Sequence, residues 1–337
     1  MANPGPRNLI TDVDGIAVGN AEDGAARTGV TVVLPDEPAT AAVDMRGGAP
    51  GTREGDALDP TCLVDRIDAV ALSGGSVFGL DAAAGVTAGL AAQDRGFVAG
   101  GFRVPIVPGA ILFDLANGGD KNWGEEPPYR TLGRQALDAA ARDFRIGNAG
   151  AGLGASAGRL KGGLGSVSAV SDDGIQVGAL FAANPVGAVT IPGTSVFWAW
   201  ALERNGELGH QQPPDGLPEV PFDLPAEARI GTNTTIGVIA TNVTLDKAQA
   251  LRVAIMAHDG LARAIRPVHT PFDGDTVYVL STGKEPLAEP AALTLARIGS
   301  MAADCAARAI ARGVYEADGI GDLPGYTAVR DQSRTAG

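Results

Sequence analysis

Residues 231–243 read Gly-Thr-Asn-Thr-Thr-Ile-Gly-Val-Ile-Ala-Thr-Asn-Val, and this stretch decides how the chain is interpreted. Apolar and β-branched residues fill its second half, so we predict a strand over 235–243. The preceding segment, 204–225, contains five prolines among mostly polar residues and is typical of a loop. Thr234 and Thr235 therefore lie where a predicted loop becomes a strand.

Short apolar runs and helical patterns alternate along the rest of the chain. The predicted strands are 29–34, 41–45, 67–72, 165–170, 175–181, 186–191 and 276–280, with a further strand region over 96–115. Helices are predicted over 78–92, 131–144, 251–265 and 291–312. Apolar residues recur at helical spacing in the second and third of these, and the third has Thr244 as its predicted N-cap. The elements follow no strict strand–helix–strand order, which favours a layered α+β fold over a doubly wound sheet.

The composition disfavours several classes of protein and site. The 337 residues carry a formal net charge of −13, which is unfavourable for binding nucleic acid. The two cysteines cannot build a disulfide scaffold, and the three scattered histidines match no zinc motif. We therefore expect any hydrolytic chemistry to need no catalytic Cys, no metal and no other cofactor. The 48 glycines indicate many turns and close backbone contacts.

Targeting signals are not visible in this sequence. The first residues lack a basic segment followed by an apolar core, and no apolar run reaches the roughly 18 residues of a membrane span. We therefore expect a cytoplasmic protein without membrane association.

A glycine-rich run at 147–158 suggests two familiar sites, and its context argues against both. A dinucleotide-binding loop follows a strand and opens a helix, but here a predicted helix precedes the run. The run also contains Gly-Ala-Ser-Ala-Gly at 154–158, the pattern around a hydrolase nucleophile. No predicted strand leads into Ser156, however, as that site would require. Close packing of the backbone is the simpler interpretation.

Thr234 is a candidate nucleophile on chemical grounds. If the Asn233–Thr234 peptide bond were cut, Thr234 would begin a new chain, with its hydroxyl as the nucleophile and its own α-amine as the base. An α-amine has a pKa of about 7.7–8.0, which suits a general base near neutral pH. The hydroxyl could make the cut itself by attacking the preceding carbonyl. A threonine-rich strand start with no catalytic role is the competing interpretation.

Two aspartates could support such a site. Asp273 and Asp275 flank a glycine directly before the predicted strand at 276–280. Carboxylates near an ammonium raise the pKa of the amine and stabilise the charge that forms when it accepts a proton. A simple Asp-Gly turn is the alternative. His258 fits a buried position on its helix, and His269 lies just before this acidic turn and could orient it.

Together these segments resemble the DmpA-type self-processing peptidases. That family includes L-aminopeptidase/D-esterases, β-peptidyl aminopeptidases and nylon-oligomer hydrolases. The matching segments, in order, are 43–48, 72–75, 78–80, 149–152, 184–187, 233–236, 257–263, 267–269 and 273–275. Each segment is short, and the specificity of the resemblance comes from their combination in this order.

The resemblance implies an α/β/β/α layered fold of the N-terminal-nucleophile hydrolase type. It implies a single domain, residues 1–337, that is cleaved into an α chain, 1–233, and a β chain, 234–337. It also implies a homo-oligomer, often a tetramer of processed αβ units.

The resemblance further implies roles for individual residues. Thr234 matches the family's nucleophile, and Asn184 matches the asparagine whose amide helps to hold the oxyanion. Asp273 and Asp275 match two aspartates of the nylon-oligomer hydrolases, where many of the aminopeptidases have Ser and Glu.

Three further positions are candidates for substrate binding. A lysine of the nylon-oligomer hydrolases matches Arg159, with Lys161 two residues later. Phe113 stands where those enzymes have an active-site tyrosine, so the hydroxyl of that tyrosine is missing here.

We therefore predict a self-processing N-terminal-threonine amide hydrolase that acts through an acyl-enzyme on Thr234. Its substrates would be short peptides, amino-acid amides or esters, or oligomers of ω-amino acids. One alternative is an acyltransferase like ornithine acetyltransferase, with the same fold and self-processing. The other is a non-catalytic protein that binds a small molecule or nucleotide at the glycine run.

Overall fold

The computed structural model describes residues 2–213, 216 and 233–335. Within these residues the strands are β1 (Ala2–Asn3), β2 (Ile16–Asp23), β3 (Thr28–Pro35), β4 (Ala39–Met45), β5 (Thr52–Arg53), β6 (Arg66–Ile67), β7 (Val70–Ser73), β8 (Phe97–Ala99), β9 (Phe102–Val104), β10 (Gly109–Ile111), β11 (Ser156–Ala157), β12 (Leu160–Lys161), β13 (Gly163–Ser171), β14 (Gln176–Ala183), β15 (Ile236–Val243) and β16 (Thr276–Glu285). The α-helices are α1 (Asp81–Ala92), α2 (Tyr129–Asp138), α3 (Lys247–Ala264), α4 (Ala291–Tyr315) and α5 (Tyr326–Thr335).

Two mixed sheets contain most of these strands. The seven-stranded sheet has the order β1-β13-β14-β15-β16-β4-β6, and the five-stranded sheet has the order β2-β3-β7-β10-β5. One pair in each sheet is parallel, β15 with β16 and β7 with β10, and the other pairs are antiparallel. Strands β8 and β9 form a separate hairpin, as do β11 and β12.

Apolar clusters fill the three spaces between four layers. One cluster lies between helices α1 and α2 and the five-stranded sheet. The second lies between the two sheets, and the third lies between the seven-stranded sheet and helices α3 and α4. The order of layers is helix, sheet, sheet, helix, which confirms the predicted α+β class and the α/β/β/α arrangement.

Strand β15 shows why this architecture requires continuous apolar runs. Ile236, Val238 and Ala240 belong to the cluster between the sheets. Ile239 and Val243 belong to the cluster beneath helices α3 and α4. Both faces of the strand are therefore buried, and its sequence reads as an unbroken apolar run.

Most of the predicted elements are confirmed with shifted ends. The predicted strands at 29–34, 41–45, 165–170, 175–181, 235–243 and 276–280 correspond to β3, β4, β13, β14, β15 and β16. The prediction at 67–72 covers β6 and β7, and the region 96–115 contains β8, β9 and β10. The four predicted helices correspond to α1 to α4.

The predicted strand at 186–191 is wrong. The segment lies between Pro185 and Pro192 and forms only isolated bridges, at Ala188 and Thr190. Its N–H groups pair with a side chain and with loops instead of a neighbouring strand: Val186 donates to the Asp273 carboxylate, Ala188 to the carbonyl oxygen of Arg266, and Ile191 to that of Val196.

Two predicted helix ends are also wrong. The N-cap of α3 is Asp246 instead of Thr244, because the Asp246 carboxylate accepts the N–H of Gln249 over 2.7 Å in a capping box. Helix α2 ends at Asp138, short of the predicted 144. Beyond that end, Ala141 pairs with Val18 of the neighbouring strand, which draws the chain away from the helix.

The predicted proline-rich loop at 204–225 lies partly outside the described residues. In the ranges that the structure describes, no helix is both long and apolar enough to cross a membrane.

Candidate active site

Thr234 lies at the entrance to β15, where parallel pairing brings two loops together. Ile236 of β15 is opposite Thr276 of β16, so the residues that precede the two strands lie side by side. The Thr234 side chain is buried, and its Oγ1 donates to the carbonyl oxygen of Asn233 over 2.5 Å. Its backbone N–H donates to the carbonyl oxygen of Asn184 over 2.7 Å. Both polar groups of Thr234 thus have defined positions.

The carbonyl oxygen of Asn233 also has a second donor. The backbone N–H of Gly274 donates to it over 3.1 Å. A β-carbon added at Gly274 would lie 2.7 Å from Thr234 Oγ1 and 2.8 Å from the carbonyl oxygen of Ala49, so a side chain does not fit there. Two donors on one carbonyl oxygen polarise that carbonyl beside the threonine hydroxyl.

Asp275 is bound to the residue that follows Thr234. It is almost fully buried, and its Oδ1 accepts the backbone N–H of Thr235 over 2.8 Å. Its Oδ2 accepts the backbone N–H of His269 over 3.2 Å and lies 2.8 Å from His269 Nδ1. The carboxylate therefore fixes the backbone next to the candidate nucleophile.

Asp273 lies on the other side of Gly274 and is equally buried. Its Oδ1 accepts the N–H of Val186 over 3.2 Å, and its Oδ2 accepts the hydroxyl of Thr270 over 2.6 Å. Burial raises the pKa of this carboxyl, and the charge of Asp275 raises it further. A cation near the two carboxylates would offset their repulsion.

Asn184 contacts the site through its backbone and its side chain. Its Oδ1 accepts the backbone N–H of Ser156 over 2.8 Å and the Ser156 hydroxyl over 3.3 Å. Because Oδ1 accepts from Ser156, the amide nitrogen Nδ2 faces the other way, and it donates to the carbonyl oxygen of Phe113 over 3.1 Å. Asn184 thus connects the residues around Phe113 to the backbone N–H of Thr234.

Arg159 and Lys161 lie in different environments. Arg159 is exposed, whereas Lys161 is 1% exposed. The Lys161 ammonium donates to the carbonyl oxygens of Gly152 and Gly162 over 2.9 and 2.8 Å. Burial lowers the pKa of Lys161 to about 7, and the charge of Asp114 partly opposes this shift. Lys161 is therefore an interior amine whose proton is weakly held.

A cleft of about 640 Å³ opens beside Asn233. Phe113, Asp114 and Ser156 are among the residues that line it, and its volume suits a small-molecule ligand. Asp114 is 3% exposed and accepts the hydroxyl of Thr28 over 2.6 Å, and burial raises its pKa. Of the three candidate substrate-binding positions, the cleft lining includes Phe113.

Sequence patterns did not identify Asp114 or Gly274 as site residues. Asp114 carries no local signal, because its partner Thr28 lies 86 positions away in the sequence. Gly274 carried a usable signal, since it separates the two candidate aspartates.

The glycine-rich run forms close backbone contacts. A short 3-10 turn covers Gly150–Gly152, and Ser156 belongs to the hairpin strand β11, which no α-helix follows directly. A β-carbon at Gly152 would lie 2.0 Å from the backbone nitrogen of Leu164 in β13. This geometry is neither a nucleophile elbow nor a dinucleotide-binding turn into a helix.

Known proteins match this chain over most of its length. A family model described as peptidase family S58 matches residues 8–327. An uncharacterized aminopeptidase of Mycobacterium tuberculosis (strain ATCC 25618 / H37Rv) is 45% identical over 340 residues, covering 95% of this chain and 97% of the relative. A 6-aminohexanoate-oligomer endohydrolase of Kocuria sp. is 31% identical over 300 residues, covering 84% of this chain and 77% of the relative.

Solved structures share the fold. A Burkholderia sp. β-aminopeptidase superposes with a TM-score of 0.71 at 23% identity, covering 100% of this chain and 96% of that one. The L-aminopeptidase D-Ala-esterase/amidase of Ochrobactrum anthropi, described as a variant of the Ntn hydrolase fold, has a TM-score of 0.68 at 22% identity. It covers 99% of this chain and 95% of its own. These likenesses agree with the four-layer arrangement described above.

Proposed function

The chain belongs to peptidase family S58, and from this premise we propose that Thr234 is the nucleophile with which it first cleaves itself and then hydrolyses its substrates. The family and its named relatives make the protein a hydrolase of amide bonds. The observation that supports Thr234 is the position of its hydroxyl, 2.5 Å from the carbonyl oxygen of Asn233.

Self-cleavage begins with attack of the Thr234 hydroxyl on the carbonyl carbon of Asn233. The new C–O bond forms as the C–N bond breaks, and the hydroxyl proton passes to the departing nitrogen of Thr234. The N–H of Gly274 already donates to the carbonyl oxygen, and a donor of this kind contributes about 3 kcal/mol in the transition state. Water then hydrolyses the ester, leaving a carboxylate on Asn233 and a free amine and hydroxyl on Thr234.

The new amine is the base of the mature site. The carbonyl oxygen of Asn184 accepts the N–H of Thr234 in the intact chain, and after the cut it would hold the amine beside its own hydroxyl. Asp273 and Asp275 supply negative charge that stabilises the ammonium formed when the amine takes the hydroxyl proton. The products of the cut are an α chain, 1–233, and a β chain, 234–337.

Substrate hydrolysis repeats this chemistry in the cleft. The Thr234 hydroxyl attacks the substrate carbonyl, the ammonium gives its proton to the departing amine, and water hydrolyses the acyl-enzyme. The Nδ2 of Asn184 would donate to the oxyanion in place of its present partner, the carbonyl oxygen of Phe113. Arg159 and Lys161 stay predictions for substrate binding, and the burial of Lys161 supports an indirect effect through the cleft wall.

The substrates we propose are small amides. The cleft of about 640 Å³ accommodates a short peptide, an amino-acid amide or ester, or a short oligomer of ω-amino acids. The Mycobacterium tuberculosis relative is named an aminopeptidase, and the Kocuria relative is named for oligomers of 6-aminohexanoate. Rates on amino-acid amides and on 6-aminohexanoate oligomers, measured side by side, would separate these classes.

We also propose that the processed units form a homo-oligomer, a tetramer by the family resemblance, in the cytoplasm. Exposed apolar side chains on the hairpin of β8 and β9 support an interface between subunits. Phe97, Val98 and Phe102 on this hairpin are 50%, 62% and 74% exposed.

Mass spectrometry of the purified protein tests the nucleophile. Wild type should yield two fragments that meet between Asn233 and Thr234, and Thr234→Ala should remain a single chain. Thr244→Ala is a matched control, because its exposed side chain lies beyond the other end of β15. Fragments from Thr234→Ala, or an intact wild type after prolonged incubation, would refute the proposal.

Product analysis separates hydrolysis from acyl transfer. With an added amine acceptor, a hydrolase should release mainly the free acid of the substrate. Transfer of most of the acyl group to the acceptor would instead support the acyltransferase alternative.

A further inference from the structure

His269 contacts Asp275 through both its backbone and its ring. Its N–H donates to Asp275 Oδ2 over 3.2 Å, and its Nδ1 lies 2.8 Å from the same oxygen. The φ angle of His269 is 54°, in the left-handed region that residues other than glycine seldom adopt. The backbone is therefore held in an uncommon conformation in which both nitrogens face one carboxylate oxygen.

The other oxygen of Asp275 leads to the nucleophile. Oδ1 accepts the backbone N–H of Thr235, the residue directly after Thr234, over 2.8 Å. A rotation of the Asp275 carboxylate would break this bond and remove one of the contacts that hold the backbone at the site. A contact that holds Oδ2 in place therefore also holds Oδ1 on the backbone N–H of Thr235, just before β15.

We propose that His269 is a positioning residue, which fixes the carboxylate of Asp275 and through it the backbone of Thr234 and Thr235. The inference rests on the proposed function of Thr234. It assigns a role in catalysis to a side chain whose connection to the nucleophile is indirect.

The charges around His269 support this role. Asp273 and Asp275 are each 1% exposed, and two buried carboxylates at one site repel each other. The ring nitrogen Nδ1 of His269 lies 2.8 Å from an oxygen of one of them, and because a carboxylate oxygen can only accept, this nitrogen is the donor; hydrogen bonds to an ionised carboxylate are stronger than neutral ones.

The neighbouring imidazole has a different partner and provides a control. His258 packs edge-to-face on His269, with ring centroids 4.9 Å apart. Its Nε2 lies 3.0 Å from the carbonyl oxygen of Asp44 and 3.4 Å from the carboxylate of the same residue. Glutamine at 258 can place an amide near that nitrogen while removing the ring.

The test compares three variants in the rate of self-cleavage and in the kcat of the processed enzyme. His269→Gly keeps the left-handed backbone accessible but removes the ring donor. His269→Asn also tolerates that backbone, and its Nδ2 can replace Nδ1 as a donor. We expect His269→Gly to lose roughly 10- to 100-fold in both rates with KM nearly unchanged. His269→Asn keeps a donor to Asp275, and His258→Gln leaves the contact between His269 and Asp275 in place, so both variants should stay close to the wild-type rates.

Two outcomes would overturn the inference. Wild-type rates in His269→Gly would mean that the contact has no effect on the site. Equal losses in His269→Gly and His269→Asn would mean that the donor to Asp275 is not the cause. Circular dichroism of each variant checks that it folds.

A spectroscopic readout covers the case in which a variant does not fold. The Nδ1–H proton of His269 should give a far-downfield NMR signal in wild type and in His258→Gln that His269→Asn lacks. If wild type lacks this signal, the contact with Asp275 does not exist in solution. Thr234→Ala in the same cleavage assay separates the two proposals, because processing of that variant overturns the function of Thr234 itself.

Discussion

Gly274 is a residue at which the candidate site leaves no room for a side chain. It places a backbone N–H on the carbonyl oxygen of Asn233, and it leaves room for the Thr234 hydroxyl. The two candidate aspartates on either side of it are each 1% exposed, so the residue between them lies in a closely packed part of the site.

Gly274→Ala should therefore slow self-cleavage by at least about tenfold. The added methyl would lie 2.7 Å from Thr234 Oγ1, and a lost oxyanion donor alone costs roughly 100-fold or more. Gly24→Ala is the matched control, because no heavy atom lies within 4 Å of the carbon that it adds. Gel densitometry of precursor against time measures both, and equal rates would contradict the prediction.

Lys161 leads to a prediction about stability and pH. Its pKa of about 7 in the folded protein lies below the ordinary value of 10.5, so between these values the unfolded chain binds more protons than the folded one. The free energy of unfolding of uncleaved Thr234→Ala protein should then rise with pH across that window. The rise should be smaller when Lys161→Met is added.

Urea titrations at several pH values between about 7 and 10 measure this difference. A difference between the two proteins that does not vary with pH would show that Lys161 titrates normally.

Residue chemistry made part of the candidate site predictable from the sequence. Thr234 followed from a strand start after a predicted loop, and the aspartates followed from their spacing around Gly274. Asn184 came only from the family resemblance. Its contacts with Ser156 and Phe113 join segments 28 and 71 positions away, and no local pattern encodes such distances.

At the scale of elements, glycine sets how closely helix α4 packs on strand β13. A β-carbon at Gly165 would lie 1.8 Å from the carbonyl oxygen of Ala309 and 2.5 Å from the nitrogen of Gly313. Backbone thus lies directly on backbone. Contacts of this kind account for part of the high glycine content. Composition alone shows that content but not where in the fold the glycines are needed.

Gly165→Ala should lower the free energy of unfolding by about 2 kcal/mol or more, because the helix must move away from the sheet. Urea unfolding of the uncleaved Thr234→Ala protein measures the loss, with Gly24→Ala in the same background as the control. A change below about 0.5 kcal/mol would indicate that the two elements are not in backbone contact.

Strands were predicted correctly where an apolar run is buried and also pairs with neighbouring strands. Strand β15 is buried on both faces, so its apolar run was a reliable signal. The segment 186–191 carries a similar apolar run, but its N–H groups pair with the Asp273 side chain and with loops, so it forms only isolated bridges. An apolar run indicates that a segment is buried. Whether the segment forms a strand depends on the partners of its backbone N–H groups, which composition does not reveal.

For the whole molecule, the exposed hairpin of β8 and β9 bears on assembly. Phe102→Glu places a charge on its most exposed phenylalanine, which is 74% exposed. If the hairpin is a subunit interface, light scattering after size exclusion should show a smaller particle than wild type. Leu63→Glu, at a position 95% exposed outside the hairpin, should leave the mass unchanged. An unchanged mass for Phe102→Glu would remove the hairpin from the interface.

The central position of β15 and β16 has a consequence for how the mature enzyme unfolds. Both strands come after Asn233, yet they lie between β14 and β4, which come before it. After a cut before Thr234, the seven-stranded sheet would contain strands of two polypeptides. Neither polypeptide alone would contain the whole hydrophobic core. Unfolding would then be a dissociation whose midpoint depends on protein concentration, and recovery would require the two pieces to meet again. Maturation would thus turn folding from a reaction of one chain into a reaction that requires two chains to associate.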